Sequence, residues 1–416
     1  MLKLQGSSEE LRSTDCTNLS YTPTEYIIRR RWNVPIACTP LLSRPSLSLT
    51  IVLGISGFYL IFISADFKVG CNMEAMLILA GGTGTRLWPA STPERPKQFL
   101  TLGLPRSFIQ MTVERSLAVN SKAEIVIVTG KSYQEGVEEE VRAYVQEGAR
   151  ITVLGEPRGR NTAPAILLGA LYLRNRLSPS SRVLILSADH LIEPLEAFVQ
   201  DVRNAAELSA RGWVTVFGVP PSSPHTGYGY LERGEAEGKG FRVKAFKEKP
   251  DEQTARSYLA TGRYYWNSGM FLFTLEMLFS QYEQYATEVV NSFRDARLME
   301  PWSQEEIPVE EIQCAYERVP SISVDYAVLE RSNRVAMIPA SFSWNDVGSW
   351  DEVARLLPNE APNIVELEGS NNAVYSDIPV ALCGVENLIV VIRNGRALVL
   401  KKGKSQLVRE ASERLS

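Results

Sequence analysis

From about residue 76, short apolar runs alternate with longer amphipathic or apolar stretches. The short runs predict buried strands and the longer stretches predict helices. Predicted strands cover 76–80, 124–129, 151–154, 182–186 and 213–218, and predicted helices cover 134–145, 161–176 and 196–209. Helices that alternate with continuous apolar strands indicate an α/β fold whose parallel sheet is covered on both faces. Ligands of such sheets bind beyond the carboxyl ends of the strands.

The pattern changes after about residue 358. Short β-rich runs at 373–375, 380–383, 388–392 and 397–400 are separated by Asn, Asp and Gly turns, and 405–415 predicts a capped amphipathic helix. This predicts a small β-rich C-terminal domain, 358–416, after a main domain at 74–357.

Residues 1–73 differ from the rest, being rich in Ser, Thr, Pro and Arg. They include an uncharged stretch, 46–65, whose twenty residues are just long enough to span a bilayer core as a helix. The favoured interpretation is an upstream-extended start, with initiation at Met73 or Met76. A membrane anchor and an ordinary leader are the alternatives. On the favoured interpretation these residues lie outside the fold.

Composition narrows the function classes. The chain has 416 residues, is 44% hydrophobic and 22% charged, and carries a net charge of −4. Without a basic surplus, nothing suggests nucleic-acid binding. The five cysteines form no Cys-x-x-Cys pair, so neither a zinc site nor a disulfide framework is indicated. Reduced thiols in a cytoplasmic protein are the default expectation.

Three glycines, Gly81, Gly82 and Gly84, follow the first predicted strand. Glycine lets backbone amides approach an anion closely. Arg86 and Lys97 then supply two cations, so the segment suits a nucleoside triphosphate. A Walker loop needs Lys-Ser/Thr after its last glycine, but Thr85 and Arg86 follow Gly84 here. A dinucleotide-binding fingerprint needs a third glycine at the position of Leu87. The segment therefore matches neither motif.

Two aspartates are candidate ligands for one Mg2+. Asp189 follows the 182–186 strand, and Asp346 lies in the segment Trp344-Asn-Asp-Val-Gly-Ser-Trp. A carboxylate at the exit of a strand suits a hard cation. Taken alone, each is equally consistent with a helix cap or a turn.

Three further clusters suit a sugar phosphate. Gly229 lies in Gly-Tyr-Gly-Tyr, Glu248 and Lys249 end a predicted strand, and Asn267 follows a tryptophan. They offer close backbone approach, an acceptor beside a cation, and an amide beside an aromatic ring.

From Met76 to its end, the chain resembles the bacterial mannose-1-phosphate guanylyltransferases, which are sugar-1-phosphate nucleotidylyltransferases. The strings that carry the resemblance are Leu79-Ala-Gly-Gly-Thr-Gly-Thr-Arg-Leu-Trp-Pro, Pro96-Lys-Gln-Phe, Glu156-Pro-Arg-Gly-Arg-Asn-Thr-Ala-Pro-Ala, Ala188-Asp-His, Glu248-Lys-Pro, Trp266-Asn-Ser-Gly-Met-Phe, Val324-Asp-Tyr-Ala and Trp344-Asn-Asp-Val-Gly-Ser-Trp. The Glu156 string is the one most specific to the guanylyl branch. Ser187 is a departure, because this family usually has proline there; we expect it to alter loop stiffness more than chemistry.

The resemblance implies a Rossmann-like nucleotidyltransferase domain with a mostly parallel sheet, followed by a small β-helix-like C-terminal domain. It implies transfer of GMP from GTP to mannose 1-phosphate with Mg2+, and it allows a homodimer. The implied roles are as follows: Arg86 and Lys97 are catalytic; Gly81, Gly82, Gly84, Thr85, Asn161 and Thr162 bind the nucleotide; Gly229, Glu248, Lys249 and Asn267 bind the sugar phosphate; Asp189 and Asp346 bind the metal. The alternatives are a nucleotidylyltransferase that uses another sugar 1-phosphate or nucleotide, and a catalytically silent homologue.

Overall fold

The computed structural model describes residues 47–53, 59–65, 73–82, 84–302, 307–357 and 363–415. Contacts divide the chain into two units, 1–70 and 71–416. In the first unit, strands β1 (Leu47–Leu53) and β2 (Tyr59–Ala65) pair antiparallel. Most of the uncharged stretch therefore forms a hairpin. Across the described ranges, we find no helix that is both long enough and apolar enough to cross a membrane.

The second unit alternates strands and helices as the apolar pattern predicts. Its elements are β3 (Ala75–Ala80), α1 (Phe108–Val119), β4 (Glu124–Gly130), α2 (Gln134–Gln146), β5 (Arg150–Glu156), α3 (Thr162–Arg174), β6 (Arg182–Ser187), β7 (Leu191–Glu193), α4 (Leu195–Ser209), β8 (Val214–Val219), β9 (Tyr230–Glu237), β10 (Gly240–Lys247), α5 (Glu252–Thr261), β11 (Tyr264–Thr274), α6 (Leu275–Tyr285), α7 (Thr287–Asp295), α8 (Val309–Arg318), β12 (Val335–Pro339), β13 (Ser343–Asn345), α9 (Trp350–Leu356), β14 (Ile364–Leu367), β15 (Ala373–Ser376), β16 (Val380–Cys383), β17 (Leu388–Arg393), β18 (Arg396–Lys401) and α10 (Val408–Leu415).

The central sheet has nine strands in the order β5-β4-β3-β6-β11-β8-β12-β10-β9. β11 runs antiparallel to β6 and β8, and β10 runs antiparallel to β12 and β9. The other seven strands point in one direction, which confirms a largely parallel central sheet. The glycine loop after β3 and the Ala188–His190 segment after β6 consequently lie at the same edge.

Both faces of the sheet are covered, as predicted. On β3, Leu77 packs into a core with α3, α6 and α7, whereas Met76 and Ile78 pack on the opposite face with α1, α2 and α4. The helix α3 is buried at all of residues 163–173. Its Gly169 lies so close to Leu77 that an added Cβ would be 2.2 Å from Cδ1 of that leucine.

The C-terminal strands stack with a constant register. β14 pairs with β16 and β15 pairs with β17, both parallel, so that Ile364 faces Val380 and Ala373 faces Ile389, 16 positions on in each case. The predicted helix at 405–415 begins later than expected, because Ser405–Leu407 is a 3-10 turn and α10 starts at Val408. The predicted domain boundary near residue 358 lies outside the described residues and stays a prediction.

This β-rich region supports the segment that follows the glycine loop. The indole N–H of Trp350 donates to the carbonyl of Trp88 at 2.8 Å, and the amide of Asn394 donates to the carbonyl of Pro89 at 3.0 Å. Trp350 is fully buried in a core with Leu87, Phe108 and residues of β17. These contacts fix the backbone directly beyond Arg86.

Candidate active site

The glycine loop that follows β3 has free space beside two of its glycines and is crowded at the third. A Cβ at Gly81 or Gly82 would meet no atom within 4 Å, whereas a Cβ at Gly84 would lie 2.8 Å from Cβ of Lys97. Gly82 and Gly84 have φ values of +99° and +61°, which favour glycine. Thus Gly81 and Gly82 leave space for a ligand, and Gly84 brings Lys97 against the loop.

Lys97 contacts both of the aspartates that were predicted to bind the metal. Its side chain is only 7% exposed, and its Nζ lies 2.8 Å from Oδ2 of Asp189. The same ammonium group donates to the backbone carbonyl of Asp346. A cation is therefore held in one place between two segments that are far apart in sequence.

Asp189 is held in its ionised form. Burial alone would raise the pKa of Asp189, but the charge of Lys97 and the hydrogen bonds from Lys97 and Ser187 keep it well below its ordinary value. The Ser187 hydroxyl donates to Oδ1 of Asp189 at 2.6 Å. Our expectation that Ser187 would affect loop stiffness more than chemistry overlooked this direct contact with a site carboxylate.

The carboxylate of Asp346 forms part of a second acidic group. Its Oδ1 accepts hydrogen bonds from the Tyr228 hydroxyl at 2.8 Å and the Gly348 amide at 3.2 Å. Glu352 accepts from the same two donors, at 3.4 Å and 3.2 Å. Burial and the neighbouring charge of Asp346 raise the pKa of Glu352 to about 7.

We did not predict a site position for Glu352. It lies in the first turn of α9, where its backbone amide donates to the hydroxyl of the N-cap residue Ser349. Over the part of the chain that the structure describes, no three His, Cys, Asp or Glu side chains converge as a metal cluster.

A cleft of about 280 Å³ lies between these groups. It is lined by Gly81, Gly82, Gly84, Arg86, Leu87, Lys97, Gln98, Ser187, Asp189, His190, Asp346, Val347 and Gly348. Arg86 is exposed and makes no hydrogen bond or ion pair with another described residue. Thr85, predicted to bind the nucleotide, does not line the cleft. The structure thus brings together both predicted catalytic cations and both predicted metal carboxylates.

His190 is a neutral neighbour of the carboxylates. Burial lowers its pKa to about 4. Its Nδ1 accepts a hydrogen bond from the Trp344 indole at 3.1 Å, so the proton of the neutral ring is on Nε2. That nitrogen lies 3.9 Å from Oδ1 of Asp189. His190 therefore lines the cleft as a neutral side chain held by Trp344.

A larger cavity of about 570 Å³ adjoins the cleft. The two share Gly81, Gly82, Ser187 and His190, and the larger one is also lined by Leu79, Val128, Glu156, Gly159, Asn161, Thr162, Ala165, Gly269, Phe271, Ser321, Val324 and Asp325. Asn161 caps α3 by accepting from the Thr162 amide at 2.8 Å, and the Thr162 hydroxyl accepts from the Val324 amide at 2.9 Å. Both residues predicted from the Glu156 string to bind the nucleotide face this cavity.

Glu156 is a lining residue whose role we did not predict. It is 6% exposed, and its Oε1 accepts a hydrogen bond from the Tyr316 hydroxyl at 2.9 Å. Burial raises the pKa of Glu156 to about 7. The signal in the sequence was its position at the end of an apolar strand, directly before the turn into α3.

The four residues predicted to bind a sugar phosphate form one group. The backbone N–H of Asn267 donates to the carbonyl of Gly229 at 2.8 Å, and Lys249 pairs with Glu248 at 2.9 Å. Oε2 of Glu248 lies 2.6 Å from the position that a Cβ of Gly229 would take, so glycine is needed there. Asp325, which we did not predict, accepts a hydrogen bond from Asn267 at 3.0 Å and extends this group into the larger cavity.

Known proteins are similar to this chain in sequence and in fold. A family model described as "Nucleotidyl transferase" matches residues 75–361. The chain is 37% identical to mannose-1-phosphate guanylyltransferase RfbM of Salmonella typhimurium over 346 residues, which are 80% of this chain and 71% of that protein. It is 36% identical to the xanthan biosynthesis protein XanB of Xanthomonas campestris over 341 residues, again 80% and 71%.

A solved structure from Thermus thermophilus, described as a mannose-1-phosphate geranyltransferase, superposes with a TM-score of 0.71 at 32% identity. It covers 82% of this chain and 99% of its own. The family match spans the glycine loop and both carboxylates of the cleft. The chain belongs to the nucleotidyl transferase family.

Proposed function

We propose that this chain transfers GMP from GTP to α-D-mannose 1-phosphate, giving GDP-mannose and diphosphate. The observation that carries the proposal is the convergence of Lys97, Asp189 and Asp346 beside an open glycine loop. Relatives named mannose-1-phosphate guanylyltransferase support the choice of substrates.

The reaction is an in-line displacement at the α-phosphorus. An oxygen of the mannose 1-phosphate attacks that phosphorus, and its bond to the bridging oxygen breaks as diphosphate leaves. The protein contributes positioning and charge neutralisation. The open amides at Gly81 and Gly82 cradle the phosphates, while Lys97 and Arg86 neutralise negative charge. Because Lys97 is already fixed by Asp189, little reorganisation is needed.

Asp189 and Asp346 are the residues that would hold Mg2+. Both line the cleft, and both offer oxygen donors, which suit a hard cation that takes one or two carboxylates together with substrate phosphates. Such a site needs no third protein carboxylate. When bound, Mg2+ would neutralise phosphate charge beside Lys97.

The larger cavity suits the nucleoside. Guanine presents two adjacent donors, N1–H and the exocyclic amine, whereas adenine presents an acceptor beside its amine. The buried carboxylate of Glu156 is an acceptor for guanine, and Asn161 and Thr162 line the same wall. A base that offers Glu156 an acceptor in place of a donor would bind less well, since buried polar groups that face no partner are costly.

The group around Asn267 suits the sugar phosphate. Glu248 can accept from hydroxyls and Lys249 can pair with the phosphate. Gly229 leaves room for the Glu248 carboxylate, which lies close to where a Cβ of residue 229 would be. This division places the acceptor sugar beside Asp325, which also lines the larger cavity.

Three further expectations from the sequence belong to the same proposal: a β-helix-like C-terminal region, a cytoplasmic location and a homodimer. The constant 16-residue register of β14–β17 supports a short β-helix, because successive coils of such a fold pair in parallel. A cytoplasmic location follows from the use of GTP. A homodimer stays a prediction.

Diphosphate release by the purified chain tests the proposal. Four nucleoside triphosphates are each combined with mannose 1-phosphate, glucose 1-phosphate and galactose 1-phosphate. We expect the fastest release from GTP with mannose 1-phosphate. Faster release from another pair would support the same fold with another substrate, and no release from any pair would indicate a silent homologue.

A further inference from the structure

The side-chain amide of Asn267 is held at both ends. Its Oδ1 accepts from the backbone N–H of Gly269 at 3.2 Å, and its Nδ2 donates to Oδ1 of Asp325 at 3.0 Å. A backbone N–H only donates and a carboxylate only accepts, so these two partners fix which end is nitrogen. The second hydrogen on Nδ2 makes no hydrogen bond to another described residue.

The segment that carries Asp325 is itself anchored to the start of α3. Asp325 begins the π-helical turn Asp325–Leu329, a kind of turn that is frequent at functional sites. The residue before it, Val324, donates its amide to the Thr162 hydroxyl at 2.9 Å. Two residues earlier, Ile322 exchanges backbone hydrogen bonds with Arg160 and Ala163 at 3.3 and 3.1 Å. The carboxylate thus projects from a segment tied to the start of α3.

The charges around Asp325 do not give it a simple structural ion pair. Burial raises the pKa of Asp325 to about 6, and the charge of Glu248 adds to the rise. Lys249, the nearest cation of the group, pairs with Glu248 instead. Keeping a buried carboxylate beside another carboxylate, with an amide as its partner, costs stability. A cost of this kind indicates that the position serves a function.

We propose that Asp325 is a positioning residue of the sugar-phosphate subsite, which holds the Asn267 amide so that its free N–H donates to the sugar phosphate. The inference rests on the proposed function for the identity of that ligand. If the acceptor at Asp325 were lost, the amide of Asn267 could rotate and present its oxygen to a ligand that is itself rich in acceptor oxygens. Asparagine at position 325 would keep an acceptor oxygen, whereas alanine would not.

The test compares Asp325→Ala, Asp325→Asn, Asn267→Ala and the double variant Asn267→Ala/Asp325→Ala. Glu330→Ala is the matched control, because Glu330 is an exposed carboxylate just beyond the same turn, with no hydrogen bond to Asn267. KM is measured for mannose 1-phosphate and for GTP in each protein. Thermal unfolding checks that each variant is folded.

We expect Asp325→Ala to raise KM for mannose 1-phosphate at least tenfold while KM for GTP stays within threefold. Asp325→Asn should stay within threefold of wild type for both substrates, as should Glu330→Ala. In the Asn267→Ala background, Asp325→Ala should add less than a threefold change, since there is no amide left to position.

Three results would overturn the inference: an unchanged KM for mannose 1-phosphate in Asp325→Ala, equal increases in both KM values, or independent multiplicative effects in the double variant. Failure of the proposed function would look different, because the wild type itself would not turn over mannose 1-phosphate. In that case the same four variants are compared by calorimetric binding of mannose 1-phosphate in the presence of a non-hydrolysable GTP analogue. The fold-changes expected for KM then apply to Kd.

Discussion

The Nζ of Lys97 lies 2.8 Å from Oδ2 of Asp189, although the two residues are 92 positions apart. The ammonium group also bonds to the carbonyl of Asp346, which lies 249 positions after Lys97 in the chain. One buried cation thereby connects the glycine loop, the exit of β6 and the segment before α9. The site depends on this connection more than on any single motif.

Replacing Lys97 by methionine should lower kcat at least 100-fold. The variant keeps the length of the side chain but removes the charge, and one preorganised charge in such a site contributes roughly 3–4 kcal/mol to transition-state stabilisation. Steady-state rates at saturating substrates measure the effect. Lys131→Met, at an exposed lysine outside the cleft, is the control. A Lys97→Met protein that retains more than a tenth of wild-type kcat would remove Lys97 from the mechanism.

Asp189→Asn and Asp346→Asn should each abolish most Mg2+-dependent turnover, and the double variant should be no worse than the poorer single one. The reason is that both carboxylates would serve one ion, and residues that act as a unit are not additive. Rates are measured across a Mg2+ titration. Tyr228→Phe removes a hydrogen bond to Asp346 but leaves the carboxylate, so it should keep the Mg2+ dependence. Losses that multiply in the double variant would show two separate roles.

The free energy of unfolding should fall as pH rises from about 4.5 to about 7, in part because of Glu156. Its pKa is raised by burial from 4.5 to about 7, so the folded state binds this proton more tightly than the unfolded state does. The contribution is at most about 3 kcal/mol. Urea unfolding at pH 5 and pH 8 measures it in wild type, in Glu156→Gln and in the exposed control Glu288→Gln. An identical pH dependence in wild type and Glu156→Gln would contradict the argument.

Gly169→Ala should destabilise the fold although alanine favours helices. Alanine gains up to about 1 kcal/mol in helix propensity, but its Cβ would lie 2.2 Å from Cδ1 of the buried Leu77. Overpacking of a core typically costs about 1–3 kcal/mol. Urea unfolding checks the sign, with Gly159→Ala as the control because a Cβ there meets no atom within 4 Å. A stabilised Gly169→Ala protein would show that Leu77 moves aside freely.

The parallel half of the sheet was predictable because its strands are buried on both faces and appear as continuous apolar runs. β3, β4 and β6 all followed that pattern. β9 was missed, and β10 was predicted only as a strand that ends at Glu248 and Lys249, because both lie at one end of the sheet and carry many exposed charged residues, as in Tyr230–Glu237. Their pattern therefore resembles a polar loop.

Part of the candidate site was predictable because its residues also carry a local signal in the sequence. Glycines, lysines and aspartates at strand exits carry a local signal, and the structure places Gly81, Lys97, Asp189 and Asp346 around one cleft. Asp325 lies in one of the strings that carry the family resemblance, but no role was predicted for it from the sequence. Its function in the site depends on a contact with Asn267, 58 positions away, which only the folded chain creates.

Competition among substrates tests the central claim most directly. The wild-type protein is given equal concentrations of GTP, ATP and UTP together with equal mannose 1-phosphate and glucose 1-phosphate, and the initial products are separated by chromatography and identified by mass spectrometry. Product ratios then report ratios of kcat/KM. We predict GDP-mannose in at least tenfold excess over every other nucleotide sugar. Comparable amounts of UDP-glucose would contradict the account and leave only the family assignment.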